Sequence, residues 1–344
     1  MASFPITLIF RDGETARIDC RSFETVVQSA ARQGLRLLTD CREGACGTCK
    51  AAIQTGQYSL DDYSQDALPD AEHATGRILT CRLRPESPCV IEFDYPLSAI
   101  RRGAPPVARP ATIAAIARLA EDVIEATLEA RDGKPFDFLP GQYANLRIPD
   151  TDVVRSYSFV SEPRRSQATF LVRLLRDGAM SQWLQRQSGP GAPMLVAGPY
   201  GRFFLRDPKR PLLFVAGGTG LGPMISMLDS LKNERTLPPS VTLVFGVNST
   251  ASLFYRDRLE ALLDGFPNGR LILAIMAPAP GWEGVTGTAV DALESIELDP
   301  AAHAYLCGPP MMVERAQAAL EQRGLDKRAM FAESFLPTSD SKAA

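Results

Sequence analysis

Four cysteines constrain this chain more than any other feature of its sequence. Cys41, Cys46 and Cys49 form a C-x4-C-x2-C pattern, and Cys81 follows after a gap of 31 residues. Three clustered thiols with a distant fourth are typical of the ligands of a plant-type [2Fe-2S] cluster. The spacing therefore predicts an electron carrier in the N-terminal part of the chain.

The residues between these cysteines suit such a cluster. The loop from Asp40 to Cys49 contains Gly44, Ala45 and Gly47, which have little or no side chain. Small residues let the backbone wrap closely and adopt left-handed dihedrals. Close backbone N–H groups can then offset the negative charge of the cluster sulfurs.

Two other uses of cysteine fit the pattern less well. Structural zinc usually takes two close Cys/His pairs, whereas here the fourth cysteine stands alone and His73 has no partner motif. Disulfides form in an oxidising compartment, yet the first apolar stretch is too short for a signal peptide and stops at Arg11. We expect Cys20 and Cys89 to be small buried residues.

Composition bounds the remaining possibilities. The 344 residues predict two or three domains, and 45% hydrophobic content is enough for packed cores. A net charge of −3 does not favour nucleic acid as a partner. No apolar run has the length of a membrane span, so we expect a cytoplasmic protein.

The pattern of apolar and turn residues predicts a multidomain chain. Residues 1–97 read as an α+β ferredoxin domain and residues 98–110, rich in proline and arginine, as a linker. The predicted elements of the ferredoxin domain are strands 4–10, 15–19, 51–54 and 89–93 and a helix over 24–33. Ser22 is the predicted cap of this helix, and Gly34 ends it.

Two further domains follow the linker. In residues 111–207, short strands separated by turn signals predict an antiparallel β-barrel: 111–118, 122–130, 142–148, 155–160, 168–174 and 193–198, with one helix at 179–187. In residues 208–344, buried strands alternate with helices, which predicts an α/β parallel sheet: strands 211–216, 241–246, 271–276 and 303–307, and helices 223–233, 254–264, 288–295 and 311–323.

A glycine-rich loop follows the first strand of this last domain. Gly217, Gly218, Thr219 and Gly220 lie between a buried strand and a helix, with Pro223 at the predicted first helical position. Backbone N–H groups and the helix dipole at such a junction bind phosphate. The loop predicts a dinucleotide site, although Pro223 replaces the last glycine of the full fingerprint.

The barrel carries two further phosphate features. Arg155 can clamp a diphosphate, Tyr157 can lie on an aromatic ring system, and Ser158 can hydrogen-bond a ring nitrogen. The segment Gly178-Ala179-Met180-Ser181 opens the barrel's helix and offers a second phosphate-binding end. Together these features predict FAD, although R-x-Y-S alone also suits an ordinary strand.

Residues near the C-terminus are candidates for the redox centre. Cys307 and Gly308 end what reads as the last strand of the sheet, where ligands of α/β sheets bind. Cys307 is therefore either a nicotinamide neighbour or a buried small residue. Glu333 and Phe335 follow, and the aromatic ring suits either a flavin cover or simple packing.

In this order the motifs resemble one known family. The chain is similar over residues 5–336 to the NADH-dependent reductase components of bacterial ring-hydroxylating dioxygenases, of the benzoate 1,2-dioxygenase reductase type. The resemblance rests on the cluster loop, the R-x-Y-S and G-G-T-G segments, Cys307-Gly308-Pro309-Pro310, and the strings at Phe138–Tyr143 and Gly198–Gly201.

The resemblance implies a role for each candidate residue. The four cysteines would ligate the cluster, and Arg155, Tyr157 and Ser158 would hold FAD. The second FAD phosphate contact would come from Gly178, Met180 and Ser181, and the nicotinamide dinucleotide would contact Gly217, Gly218, Thr219, Gly220, Cys307 and Gly308. Ser158, Cys307, Glu333 and Phe335 would surround the flavin and nicotinamide rings.

The implied activity passes electrons from NADH through FAD and the cluster to a Rieske-type terminal oxygenase. FAD accepts an electron pair and releases electrons singly. The loop Asn248–Ser252 departs from the pattern of NADH users because it lacks a carboxylate, and Arg256 lies nearby, so NADPH is the alternative donor. Alternative acceptors are a di-iron monooxygenase or a deoxysugar-forming enzyme, and a different class of function is an iron–sulfur redox sensor.

Overall fold

The computed structural model describes residues 2–39, 42, 44, 47–65, 67–102, 108–186 and 188–335, with backbone alone at 101 and 102. The chain divides into two compact units. One comprises residues 1–107 together with Tyr200–Arg202, and the other comprises residues 108–199 and 203–344. Within the described residues, no helix is long and apolar enough to cross a membrane.

The first unit is a small α+β fold built on a five-stranded sheet of order β2-β1-β8-β4-β6. Its elements are β1 (Ser3–Ile9), β2 (Thr15–Arg21), α1 (Val26–Arg32), β3 (Leu35–Arg36), β4 (Lys50–Thr55), β5 (Tyr58–Leu60), α2 (Asp70–His73), β6 (Arg77–Leu79), β7 (Leu83–Pro85), β8 (Cys89–Glu92) and β9 (Arg101–Arg102). The predicted hairpin of β1 and β2 and the strands β4 and β8 are confirmed.

Helix α1 begins at Val26, two residues later than the sequence analysis predicted. Its N-cap is Thr25, whose side chain accepts a hydrogen bond from Gln28 N while the Gln28 side chain accepts one from Thr25 N. The predicted cap Ser22 is wrong, because this reciprocal capping box satisfies two helix donors at Thr25. The helix ends before Gly34, which has a φ of +81°.

Part of the predicted linker packs against the first unit. Ala99 and Ile100 are each 6% exposed, and Arg101–Arg102 pairs with Leu35–Arg36 as a short antiparallel ladder. The first residues of the predicted linker are therefore packed or paired, and the rest of the linker stays a prediction. Residues 103–107 lie outside the described part of the chain, and β10 begins at Arg109.

The second unit opens with the six predicted barrel strands, in the order β13-β12-β15-β10-β11-β14. They are β10 (Arg109–Ala120), β11 (Val123–Ala130), β12 (Tyr143–Arg147), β13 (Val154–Ser158), β14 (Gln167–Arg173) and β15 (Pro193–Tyr200), with helix α3 (Ala179–Arg186) between β14 and β15. A bridge between Phe159 and Phe170 joins the two ends of this sheet, so the barrel closes. Met180 and Leu184 fill its interior from α3.

The second unit continues into a parallel sheet of order β19-β18-β17-β16-β20-β21. The elements are β16 (Leu212–Gly217), α4 (Leu221–Asn233), β17 (Val241–Ser249), α5 (Arg256–Leu263), β18 (Gly269–Ala277), β19 (Val285–Thr286), β20 (His303–Gly308), α6 (Pro310–Gln322) and β21 (Met330–Ser334). The helix predicted at 288–295 is a short 3-10 helix, Asp291–Ser295.

The sequence missed two edge strands of this sheet, β19 and β21. The strand containing Cys307 is therefore not the last one, because β21 follows and pairs with it in parallel. Both strands lie at sheet edges, where alternating exposure hides the apolar run that marks a central strand. Pro223 is the third residue of α4 and not the first, still within the turn where no helical N–H bond is lost.

Two glycines let the barrel approach helix α4. A Cβ at Gly141 would lie 2.3 Å from Met227 Cε and 2.5 Å from Phe203 O, and one at Gly222 would lie 3.2 Å from Val160 Cγ2. Ser226 Oγ also donates to Ser161 O at 2.8 Å. These contacts hold the barrel against the start of α4, next to the glycine-rich loop.

Candidate redox and nucleotide sites

Two of the four predicted cluster ligands meet in the first unit. Cys49 precedes β4 and Cys81 follows β6, and the antiparallel pairing of Lys50 with Leu79 brings the two segments together. Their Sγ atoms are 3.0 Å apart, and the residues are 4% and 3% exposed. A pair of converging buried thiols suits iron, and the other two predicted ligands, Cys41 and Cys46, lie outside the described residues.

The described part of the cluster loop requires its glycines. Gly44 has a φ of +74°, and a Cβ there would lie 2.8 Å from Tyr63 Cβ. Gly47 has a φ of +70°, and its Cβ would lie 3.2 Å from Ala67 O. Left-handed dihedrals and close approach both exclude larger residues. Packing against the neighbouring segment therefore requires both glycines of the predicted cluster loop.

Thr80 links the two ligand segments, and the sequence reading missed it. Its backbone N donates to Cys49 O at 3.1 Å and its Oγ1 donates to the same oxygen at 2.9 Å. The residue is fully buried. The available signal was its position directly before Cys81, where a hydroxyl at a buried site needs a partner.

The glycine-rich loop follows β16, the strand at which the order of strands in the parallel sheet reverses. Strands β17, β18 and β19 extend to one side of β16, and β20 and β21 extend to the other. The loops after β16 and β20 therefore diverge from neighbouring strands, which is where open α/β sheets bind ligands. These two connections, with the strand ends that lead into them, are Gly217–Gly220 and Cys307–Pro310.

Close packing explains three glycines at this point. A Cβ at Gly220 would lie 2.2 Å from Cys307 O, and one at Gly217 would lie 2.6 Å from Met312 Sδ. A Cβ at Gly308 would lie 2.8 Å from Met312 Cε. The two loops thus touch through their backbones.

Gly218 differs from its neighbours because it faces open space. Its φ is +55° and no atom lies within 4 Å of a Cβ built there. It begins a 3-10 turn, Gly218–Gly220, that leads directly into the 13-residue helix α4. An open glycine turn at a helix N-terminus fits the diphosphate of a dinucleotide.

Three of the predicted redox residues come together. Ser158 ends barrel strand β13 and its Oγ donates to Glu333 Oε2 at 3.4 Å. Glu333 lies opposite Cys307 in the pairing of β20 with β21. Phe335 follows, with its N–H donating to Gly308 O at 3.0 Å and its ring packed on the core around α4.

The Cys307 thiol is held in its neutral form. The residue is fully buried, and burial, assisted by the nearby Glu333 carboxylate, raises its pKa well above the ordinary value. A protonated thiol and a serine hydroxyl beside one carboxylate can donate hydrogen bonds without adding charge. The full burial of Cys307 is what the sequence analysis expected of a buried small residue, one of its two alternatives for this position.

The R-x-Y-S strand lies at the edge of the barrel sheet. The side chains of Arg155 and Tyr157 alternate along β13 with Ser156, whose Oγ donates to Asn145 Oδ1 at 2.7 Å. Burial raises the pKa of Tyr157, which packs against the barrel core. Arg155 Nη1 donates to Val154 O at 2.8 Å. Strand β13 thus carries Arg155, Tyr157 and Ser158, and its last residue, Ser158, contacts Glu333.

At the second predicted phosphate contact, the side chains of Met180 and Ser181 are buried and engaged within the protein. Met180 is 2% exposed and belongs to the barrel core. Ser181 Oγ accepts a hydrogen bond from Leu175 N at 2.9 Å, and a Cβ at Gly178 would lie 3.1 Å from that Oγ. Any phosphate held here would contact the backbone N–H groups at the start of α3.

Three known domain families match successive parts of the chain. Residues 9–86 match the 2Fe-2S iron-sulfur cluster binding domain, residues 110–205 the oxidoreductase FAD-binding domain, and residues 214–318 the oxidoreductase NAD-binding domain. The chain is 37% identical to the anthranilate 1,2-dioxygenase electron transfer component of Acinetobacter baylyi, which covers 98% of each chain. The chain belongs to this family of electron transfer components.

Other relatives support the same assignment. The toluate 1,2-dioxygenase electron transfer component of Pseudomonas putida is 37% identical over 95% of this chain and 96% of its own. Among solved structures, the Amycolatopsis cytochrome P450 reductase GcoB is 27% identical, with a TM-score of 0.76 over 98% of this chain and 100% of its own. The predicted fold class and the oxidoreductase activity are confirmed, as are a [2Fe-2S] cluster, FAD and a nicotinamide dinucleotide as cofactors.

Proposed function

We propose that this chain takes electrons from NADH and delivers them to the Rieske-type oxygenase of an aromatic-ring dioxygenase system. The convergence of Ser158, Cys307 and Glu333 beside the glycine-rich loop carries the proposal, because it joins a barrel strand to the nicotinamide site. FAD supplies the conversion of a two-electron donor into single-electron steps. The protein's part is to orient the rings and exclude water.

The residue roles are those that the family resemblance implies. Arg155 would hold the FAD diphosphate, Tyr157 would flank the flavin ring, and Ser158 would donate to a ring nitrogen. The fully buried Cys307 would lie beneath the nicotinamide pocket, and Glu333 would keep Ser158 oriented through their hydrogen bond. The four cysteines Cys41, Cys46, Cys49 and Cys81 would ligate the cluster.

The acceptor class rests on the relatives. Electron transfer components of anthranilate, toluate and 2-halobenzoate 1,2-dioxygenases are each 37% identical to this chain over at least 95% of it. The phenol hydroxylase P5 protein of Acinetobacter pittii is 32% identical over 95% of this chain. The higher identity favours a dioxygenase over a monooxygenase partner.

The choice of NADH follows the family resemblance, and the loop after β17 bears on the alternative donor. Ser249 Oγ and Ser252 Oγ are 3.1 Å apart, and Thr250 Oγ1 accepts a hydrogen bond from Ala279 N at 2.9 Å. Arg256 forms an ion pair with Glu260 at 3.0 Å. The Arg256–Glu260 pair is exposed, with side chains 58% and 48% exposed, so a 2′-phosphate could replace it at little cost and NADPH stays the alternative donor. A kcat/KM ratio favouring NADPH would refute this choice.

A test separates the two halves of the chain. Anaerobically purified protein should show flavin bands and a broad iron–sulfur shoulder that NADH bleaches together. Cys46→Ser should abolish cluster assembly and reduction of a purified dioxygenase while sparing NADH-dependent ferricyanide reduction. Loss of ferricyanide reduction with the flavin still bound would contradict this separation.

The acceptor is tested directly. Cytochrome c reduction by NADH should be rapid, which a redox sensor would not achieve. Purified Rieske dioxygenase and di-iron monooxygenase components should then be compared as acceptors under single-turnover conditions. Faster reduction of the monooxygenase would overturn the proposed partner while leaving the electron path intact.

A further inference from the structure

We propose that Arg202 is a positioning residue for the iron–sulfur cluster, which fixes the main chain around Cys49 and sets a positive charge beside it. Arg202 belongs to the first compact unit, although it lies far along the chain. Its Nη1 donates to Thr48 O at 3.0 Å and to Lys50 O at 3.1 Å. These carbonyls belong to the two residues that flank the ligand Cys49.

The guanidinium is itself held in place. Its Nη2 donates to the Asp94 carboxylate, and its Cζ lies 5.6 Å from the centre of the Tyr95 ring. Tyr95 is 1% exposed and packs on Phe93 and Phe10 with centroid distances of 5.1 and 5.9 Å. The Arg202 side chain is 19% exposed, so water competes poorly for these contacts. The buried Tyr95 ring and the Asp94 carboxylate thus orient the Arg202 guanidinium.

Together with Thr80, Arg202 engages three successive carbonyls. Thr48 O and Lys50 O accept from Arg202, and Cys49 O accepts from Thr80. The segment that carries one ligand is therefore fastened on both sides, and Thr80 joins it to the neighbouring ligand Cys81. Fixing ligand geometry and hydrogen bonding in this way tunes a metal centre.

The charge of Arg202 has a second consequence. A reduced cluster carries one more negative charge than the oxidised one, so a nearby cation favours reduction. Asp94 opposes this effect but is 48% exposed, and its charge is better screened by solvent. A lysine could keep the charge, yet its single ammonium cannot reproduce a fork that reaches two carbonyls and a carboxylate.

The experiment compares three variants of the full chain, purified anaerobically with their cluster. Arg202→Met should lower the midpoint potential of the cluster and alter the EPR signal of its reduced state. It should also release iron to a ferrous chelator about tenfold faster, as expected when charge-assisted hydrogen bonds are lost. Asp94→Asn should shift the potential in the opposite direction.

Arg202→Lys separates charge from positioning. Its potential should stay near that of the wild type, whereas iron release should be faster. If the Arg202→Met protein assembles no cluster, the Arg202→Lys protein decides the question. Iron release from Arg202→Lys at the rate of the wild type would overturn the proposal. An Arg202→Met protein with unchanged potential, EPR signal and iron release would also overturn it.

These measurements rest on the cluster and not on the proposed acceptor. Flavin content and NADH-dependent ferricyanide reduction should be unchanged in all three variants, which shows that the second unit is intact. Failure of the wild-type protein to reduce a dioxygenase would count against the proposed partner alone.

Discussion

Replacing Gly220 by alanine tests whether the loops after β16 and β20 form one nucleotide site. A Cβ at this position would lie 2.2 Å from Cys307 O and 2.6 Å from Cys307 C, whereas ordinary contact begins at 3.4 Å. The obstacle is the backbone of β20, a central strand, which cannot rotate away as a side chain can. The glycine-rich loop must therefore shift by about 1 Å, as an overpacked core does.

Overpacking of this kind costs about 1–3 kcal/mol. Part of this cost should appear as lower stability, with a thermal midpoint of the second unit reduced by about 2–4 °C per kcal/mol. If the shifted loop must be restored to bind the dinucleotide, an energy of this size raises the KM for NADH by about 5- to 150-fold. The change should fall mainly on KM, because the reacting rings are not touched.

The assay is steady-state NADH-dependent ferricyanide reduction, with calorimetry on the same samples. Gly189→Ala is the matched control, because no atom lies within 4 Å of its Cβ and its backbone is not left-handed. That variant should behave as the wild type. A Gly220→Ala protein with the KM and thermal midpoint of the control would refute the assignment of these loops to one site.

Three further changes have defined outcomes. Thr25→Ala removes the cap of α1 and should lower the free energy of unfolding of the first unit by about 1 kcal/mol, whereas the exposed Ser22→Ala should be neutral in the same denaturation series. Because the pKa of Cys307 is raised in the folded state, the unfolded thiol loses its proton first, so stability should fall as pH rises above about 9. Cys307→Ala should lose less unfolding free energy than the wild type between pH 7 and 10, and equal losses would contradict a buried neutral thiol. Arg155→Ala should weaken flavin retention, measured as the flavin-to-protein ratio after gel filtration, and an unchanged ratio would remove Arg155 from the proposed site.

Local patterns predicted most elements because each depends on neighbouring residues. The barrel strands and the central strands of the parallel sheet carry apolar runs bounded by turn residues, and their positions agree with the structure within a few residues. The cap of α1 was misplaced because Ser22 and Thr25 are both good caps. The choice depended on Gln28, which completes the capping box at Thr25. Edge strand β21 was missed since it shows no buried run.

The sequence by itself determined the chemistry of this protein, because cysteine spacing and glycine-rich turns are local signals that only a few cofactors can satisfy. Tertiary structure alone decided which distant residues meet. It placed Glu333 beside Ser158 and Cys307, tied Thr80 to Cys49, and brought Arg202 to the carbonyls around that ligand. Such contacts depend on strand order and packing between segments far apart in the chain, and no short stretch of sequence encodes them.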